Sequence, residues 1–331
     1  MKATDHIVRF LEAQGIGCVF GYQGGMITHL VDSLSRSRRI RFIQCYHEQS
    51  AAFAAEGYAR ASGRFGVCIT TSGPGATNVV TGMGNAYFDS VPVLYITGQV
   101  NTHEYKYGRK IRQLGFQETD IVSVARPVVK WARLSDDPGR LASDLNEAVD
   151  EMLSARTGPA LIDLPMDVQR AELANCEAPC ALRQGRRGKA IGDAEVDAVL
   201  SALASARRPF AICGGGLADA AVREGAAEFL LRTGIPYAVS LMGKGHVAED
   251  SDMFVGMIGS YGNRAANLVF SEADAVLCIG TRLDLRQTGC RSSPLLKGIR
   301  FIRMDIDSNE LEGNPMPNQV GIVGCRRILP P

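Results

Sequence analysis

A short apolar run, a Gly-rich turn and a helix-length stretch of small residues recur along this sequence. Val67-Cys68-Ile69-Thr70-Thr71 is followed by Ser72-Gly73-Pro74-Gly75-Ala76-Thr77-Asn78 and a helical stretch through about Phe88. Val91 to Ile96 is the next strand, with Pro92 at its start because proline cannot donate to a ladder. Ala160-Leu161-Ile162-Asp163-Leu164 is another, after a long amphipathic stretch from Pro138 to about Ala155. Strands that alternate with helices predict a parallel sheet covered on both faces. The fold class is α/β.

The chain has 331 residues, more than the ~250–300 at which a single core usually stops growing. Between about Glu172 and Gly192 the alternation lapses. Ala174-Asn175-Cys176-Glu177-Ala178-Pro179-Cys180 and Gln184-Gly185-Arg186-Arg187-Gly188-Lys189 carry turn and charged residues without periodicity. This predicts a domain over residues 1–175, a linker over 176–190 and a second domain over 191–331. In the latter, a helix from Asp193 to Ala206 leads to the strand Pro209–Cys213 and the turn Gly214-Gly215-Gly216. Ala275–Gly280 and Arg300–Asp307 complete a second α/β unit. Two doubly wound domains with mainly parallel sheets are expected.

Charge narrows the partners. The 36 Lys+Arg against 35 Asp+Glu leave +1, so no overall field draws nucleic acid or a membrane surface. No apolar run approaches the ~18 residues of a membrane span, and Met1-Lys2-Ala3-Thr4-Asp5-His6 lacks the apolar core of a signal peptide. The 9 cysteines are an odd, scattered set without CxxC or Cys/His zinc spacing. Reduced thiols and a cytoplasmic location are the expectation, with no metal site on this chain.

Four segments carry candidate chemistry. Glu48, in Tyr46-His47-Glu48-Gln49-Ser50, follows a strand from Phe42 to Cys45 that reads as buried and opens an alanine-lined helix. Apolar surroundings there would favour the protonated acid and suit it to proton exchange. Taken alone, the local sequence favours reading it as a first-turn acid complementing the helix dipole. The Ser72–Asn78 turn either brings backbone N–H groups to a ligand or is a tight connection. Gly214-Gly215-Gly216 either admits a dinucleotide pyrophosphate or serves packing. Arg264, in a glycine loop, either forks onto a carboxylate or phosphate or is a solvated arginine.

These segments fall in one order with others. Gly21-Tyr22-Gln23-Gly24-Gly25, His47-Glu48-Gln49, Ala54-Ala55-Glu56-Gly57-Tyr58-Ala59-Arg60 and Ser72–Asn78 are followed by three more. These are Asp89-Ser90-Val91-Pro92-Val93, Thr97-Gly98-Gln99-Val100 and Gly115-Phe116-Gln117-Glu118-Thr119-Asp120-Ile121. The series closely resembles the thiamine diphosphate-dependent acetolactate synthase family over most of residues 1–175. Gly214–Gly216, Leu241-Met242-Gly243, the Arg264 loop, Gly280-Thr281-Arg282-Leu283-Asp284 and Asp305-Ile306-Asp307 extend it.

The resemblance implies a pyrimidine-binding domain and a central domain. Glu48 then matches the glutamate that hydrogen-bonds N1′ of the cofactor's aminopyrimidine and promotes loss of the thiazolium C2 proton, which replaces its local reading. Gly24, Gly25, Pro74, Asn78 and Gln99 are the further cofactor contacts it implies. Phe116, Gln117 and Met242 are the substrate-lining residues, with Arg264 on the carboxylate of a small 2-oxo acid. Gly214, Gly215, Gly216 and Arg282 would serve a flavin or nucleotide. Gln23 replaces the usual proline, Met166 the usual lysine, and Ser260-Tyr261-Gly262 the usual Met-His-Gly, which puts FAD and the acetolactate product in doubt.

The family's third domain binds diphosphate through magnesium (Mg2+) on Gly-Asp-Gly and a later asparagine; no Gly-Asp-Gly occurs here. The expectation is half of each site, with Mg2+ ligands on a separately encoded diphosphate-binding subunit or a missing domain, and a homo-oligomer through the first domain. A nucleotide- or flavin-binding module, or a partner subunit that has lost the reaction, is the alternative.

Overall fold

A computed structural model describes residues 1–173, 190–289 and 294–324. The expected linker 176–190 lies outside these, Ala190 apart. The chain divides into two units, Met1–Arg186 and Arg187–Pro331.

The first unit holds six strands: β1 (Cys18–Gly21), β2 (Arg41–Gln44), β3 (Gly66–Thr70), β4 (Val93–Gln99), β5 (Trp131–Leu134) and β6 (Ala160–Pro165). Their order is β2-β1-β3-β4-β6-β5, and every pairing is parallel. The central strands β3, β4 and β6 are buried at every residue. Their side chains alternate between two cores, as the period of two requires. Val67, Ile69, Leu94, Ile96 and Ile162 pack with α1 (Ala3–Ala13) and α2 (Thr28–Ser35) through Ile7, Leu11, Leu30 and Leu34. Cys68, Tyr95 and Leu161 face α3 (Glu48–Ser62) and α5 (Val80–Phe88) through Ala51, Ala52, Ala55, Met83 and Ala86. Alanines let α3 lie close on the sheet, which is why the small-residue stretch folds against so thick a set of strands.

Three expectations change. β2 was expected to be buried, but Arg41 and Gln44 are exposed and Phe42 and Ile43 only partly covered. It is an edge strand, paired in the sheet only with β1. The helix expected through Phe88 is broken at Val79 into α4 (Pro74–Asn78) and α5. The stretch from Pro138 begins with one 3-10 turn, capped by the Asp137 carboxylate on the Gly139 amide at 2.8 Å, before the helix Leu141–Leu153.

The second unit repeats the plan with β7 (Pro209–Cys213), β8 (Tyr237–Val239), β9 (Phe254–Met257), β10 (Ala275–Ile279), β11 (Arg300–Asp305) and β12 (Gln319–Val323). Their order is β12-β11-β10-β7-β8-β9, again all parallel. In each sheet the chain leaves its first strand to one side and later returns to the other. The turns after β1 and β3, and after β7 and β10, therefore lie at topological switch points, the place where sheets of this kind bind ligands.

Ile96 is fully buried in the centre of the first sheet. Ile96→Ala is expected to cost about 2–5 kcal/mol, read as a lower urea midpoint at unchanged slope.

Candidate active site

The crevice of the first unit is built from the ends of three strands. After β1, Gly24 lies against the Thr71 side chain, whose hydroxyl accepts the Met26 amide at 3.2 Å. The Met26 carbonyl accepts from Gln169 Nε2 at 2.7 Å and closes directly on Gly98, where a Cβ would overlap it. Gly25 beside it is exposed with open space around its Cα. After β3, Gly73 has φ +59°, and a Cβ there would meet the Gln117 backbone. Only glycine fits that turn. Pro74 then starts α4 at its first position and is exposed.

After β2 the chain passes through extended His47 into α3. Glu48, in the first turn, is half-buried. Its Oε2 accepts from Asn78 Nδ2 at 2.7 Å, and Asn78 Oδ1 accepts from Gln49 Nε2 at 3.0 Å. The second carboxylate oxygen, Oε1, has no hydrogen-bond partner among the described residues and faces Gly75, where a Cβ would stand 3.5 Å away. The expected apolar surroundings are not found. The buried alanines of α3 begin only at Ala51, so the first turn stands clear of the core, beside an amide and a backbone turn. Glu48, Asn78, Pro74, Gly24 and Gln117 are brought to these adjoining strand ends.

Gln99 is placed differently. Read from the resemblance as a cofactor contact, it is 1% exposed and satisfied from within. Its Nε2 donates to the Thr119 carbonyl and to Asp163 Oδ2, both at 2.8 Å, and its Oε1 accepts the Val100 amide at 3.0 Å. Thr97 donates to Asp163 Oδ1 at 2.7 Å. Glu118, 6% exposed, accepts the amides of Lys106 at 2.9 Å, Leu114 at 2.5 Å and Gly115 at 3.3 Å. Phe116 is 76% exposed, and Gln117 has φ +60°. Burial pushes the Asp163 carboxyl up to about 7, against the Gln99 and Thr97 hydrogen bonds, with the Asp120 charge adding to the rise. Asp163 and Glu118 were not singled out in the sequence. The available signal for Asp163 was a carboxylate inside an otherwise apolar run.

In the second unit, Gly214–Gly216 follow β7 at the switch point. The Gly214 and Gly216 amides donate to Ile279 and Gly280 carbonyls at 2.9 and 3.0 Å, and the Leu217 amide to Gly214 at 3.2 Å. A Cβ on Gly214 or Gly216 would collide with Gly280. Packing accounts for these glycines, and a pyrophosphate finds few unused amides there. Gly215 lies against Met242. The Arg282 side chain reaches Asp284 at 3.9 Å, while its carbonyl accepts from Arg303 and Asn314. Arg264 is exposed at the start of the helix Arg264–Glu272 and makes no ion pair among the described residues. Among the described residues, no three His, Cys, Asp or Glu side chains gather as a metal site, and no helix is long and apolar enough to cross a membrane.

Residues 1–124 match the family described as thiamine pyrophosphate enzyme, N-terminal TPP binding domain, and residues 196–328 match thiamine pyrophosphate enzyme, central domain. The chain is 38% identical over 311 residues to acetolactate synthase isozyme 2 large subunit of Escherichia coli, covering 94% of this chain and 55% of that protein. It is 37% identical over 338 residues to the chloroplastic acetolactate synthase of Arabidopsis thaliana, covering 99% and 49%. It is likewise 37% identical over 332 residues to a probable acetolactate synthase large subunit of Methanocaldococcus jannaschii, covering 98% and 54%. The chain thus spans about half the length of the curated relatives it matches.

The Asp163 carboxyl yields a test of its burial. Its ordinary value is 3.8 and its folded value about 7. Across that window the folded protein keeps a proton that the unfolded chain has released, so this group's stabilisation is present at the acid end and is lost as pH rises. Urea midpoints across the window should fall less steeply with pH in Asp163→Asn than in the parent. Identical slopes would place Asp163 in contact with water.

Proposed function

We propose, from the premise that this chain belongs to the thiamine pyrophosphate enzyme family, that residues 1–175 hold the aminopyrimidine of thiamine diphosphate and residues 191–331 form the central domain. The activity is that of an acetolactate synthase-like 2-oxo acid decarboxylase or carboligase. The observation that carries this reading is the unpartnered Oε1 of Glu48, half-buried over the Gly75 turn while Asn78 holds Oε2. A carboxylate oxygen left without a donor at the strand ends fits a ring nitrogen that shares a proton.

When bound, the cofactor supplies a thiazolium that stabilises a carbanion after decarboxylation. The chain's own residues supply position and proton control. Glu48 holds the proton at the pyrimidine nitrogen. Asn78 fixes the plane of that carboxylate, and Gln49 fixes Asn78. Gly25, with open space at its Cα, and the exposed Pro74 at the start of the following turn are the backbone positions on which a flat ring would lie, while Gly24 packs on Thr71. In the first unit the exposed Phe116 and the half-buried Gln117 line the path of the 2-oxo acid. In the second unit Met242 and Arg264 are the substrate residues of this reading, Arg264 as the group for a carboxylate. Met166, Gln23 and Ser260-Tyr261-Gly262 depart from the family's usual residues, which leaves donor and acceptor identity to the assay. FAD is not assigned to the Gly214–Gly216 turn in this reading, because the Gly214 and Gly216 amides bond to Ile279 and Gly280.

The diphosphate and Mg2+ belong, in this proposal, to a diphosphate-binding module on a further domain or a separate chain. Phe53, Tyr87 and Phe88, exposed on α3 and α5, support a homo-oligomer through the first unit. Unpaired cysteines such as Cys68, Cys213 and Cys278 fit a reducing, cytoplasmic compartment.

The test combines this chain with a chain carrying the diphosphate-binding domain, thiamine diphosphate and Mg2+, and follows pyruvate consumption and carboligation. Glu48→Gln is expected to lower turnover by ~10²–10⁴-fold. Undiminished turnover in that variant, or none in the parent, removes the proposal.

A further inference from the structure

Gln99 and Asp163 lie deep under the strand ends, and neither meets a ligand in the reading above. Their geometry nevertheless bears on residues that do. The Gln99 amide has one hydrogen on the Thr119 carbonyl and the other on Asp163, so its plane is set by a group on β6. Thr119 is two residues beyond Gln117, whose left-handed backbone presses on Gly73 in the Pro74 turn. From the other side, Glu118 gathers the amides of Lys106, Leu114 and Gly115 and closes the loop that carries Lys106, Arg109, Lys110 and Arg112. The segment 116–119 is thus anchored below by a buried amide and beside by a buried carboxylate, while Phe116 itself projects into solvent.

We infer that Gln99, oriented by Asp163, is a positioning residue that sets the placement of Phe116 and Gln117 and so the fit of the 2-oxo acid substrate. This rests on the substrate-lining role given to those two residues above. An amide suits the task because it donates twice and accepts once at fixed angles. Asp163 suits its own because a buried acceptor with two oxygens holds both Thr97 and Gln99. The charge that bears on it is that of Asp120, and Asp163 in turn helps to raise the Tyr105 phenol, after burial and Asp120. Local hydrogen bonds of this kind govern how often a loop opens without unfolding the domain.

The experiment uses the whole chain and compares Gln99→Met with Thr97→Val, which removes a hydrogen bond to the same carboxylate but not the one to Thr119. Trypsin cleavage after Arg109, Lys110 and Arg112, all exposed, reads loop opening, and urea midpoints read global stability. Gln99→Met should be cleaved about tenfold faster at these sites than the parent, as expected for the loss of a hydrogen bond anchoring the loop. Thr97→Val should lose stability without that acceleration. Asp163→Asn, which keeps an oxygen for the Gln99 amide, should restore near-parent cleavage where Asp163→Leu does not. In the carboligation assay, Gln99→Met should raise KM for the 2-oxo acid several-fold with a smaller change in kcat. Equal cleavage of Gln99→Met and Thr97→Val, failure of Asp163→Asn to restore cleavage, or an open loop with unchanged KM each overturns the inference. Absence of turnover in the parent removes the assignment of function, while the cleavage comparison still decides whether Gln99 holds the segment.

Discussion

Parallel pairing of every strand in both sheets is the constraint on which the rest depends. Two neighbouring parallel strands cannot be joined by a tight turn, so each connection crosses a face of the sheet and returns to the same edge. The turns that end the strands therefore collect on one side. Where the order reverses, between β1 and β3, the turns part and leave room. Gly24, Glu48 and the Pro74–Asn78 helix are far apart in sequence, yet each lies just beyond a strand or in the helix that follows. Their meeting follows from topology, and no contact between them has to be strong enough to create it.

Within that frame the carboxylates of the first unit meet different fates, and the differences sort structure from chemistry. Glu118 is wrapped by three backbone amides, a sufficient set of donors for a carboxylate almost out of water. Asp163 has two donors and complete burial, so its charged form is penalised. Glu56 is held by Arg60 and Asn85 between α3 and α5. Glu48 alone of these keeps one oxygen committed and one unpartnered at a half-open crevice. That oxygen, with no protein donor and standing at the strand ends, is placed to take a hydrogen bond from a bound molecule.

Much of the fold was legible because the central strands are short apolar runs bounded by glycine and proline. Pro209–Cys213 stands as read, β6 and β10 differ by a residue at one end, and β3 is shifted back by one residue at both ends. Phe42 and Ile43 misled because apolar composition is the same at an edge as in the middle. The number of neighbours, which decides burial, is not written locally. Val79 breaks a helix that its sequence could continue, because α4 is a single short segment tied to the Ser72–Pro74 turn. Gln99 shows the same limit in the site: its motif marks it as near the crevice, but which way an amide points depends on Asp163, sixty-odd residues on.

The order of apolar runs and glycine turns by itself determined that this chain folds as two α/β units and that Glu48 stands where a strand gives way to a helix, because those properties follow from local patterning. Only the tertiary structure decided that β2 is an edge, that Gln99 faces inward, that the Gly214–Gly216 turn packs on Gly280, and that one Glu48 oxygen is left over. Each of these depends on which distant groups arrive to bury a residue or satisfy its hydrogen bonds, and burial and pairing are properties of the assembled sheet.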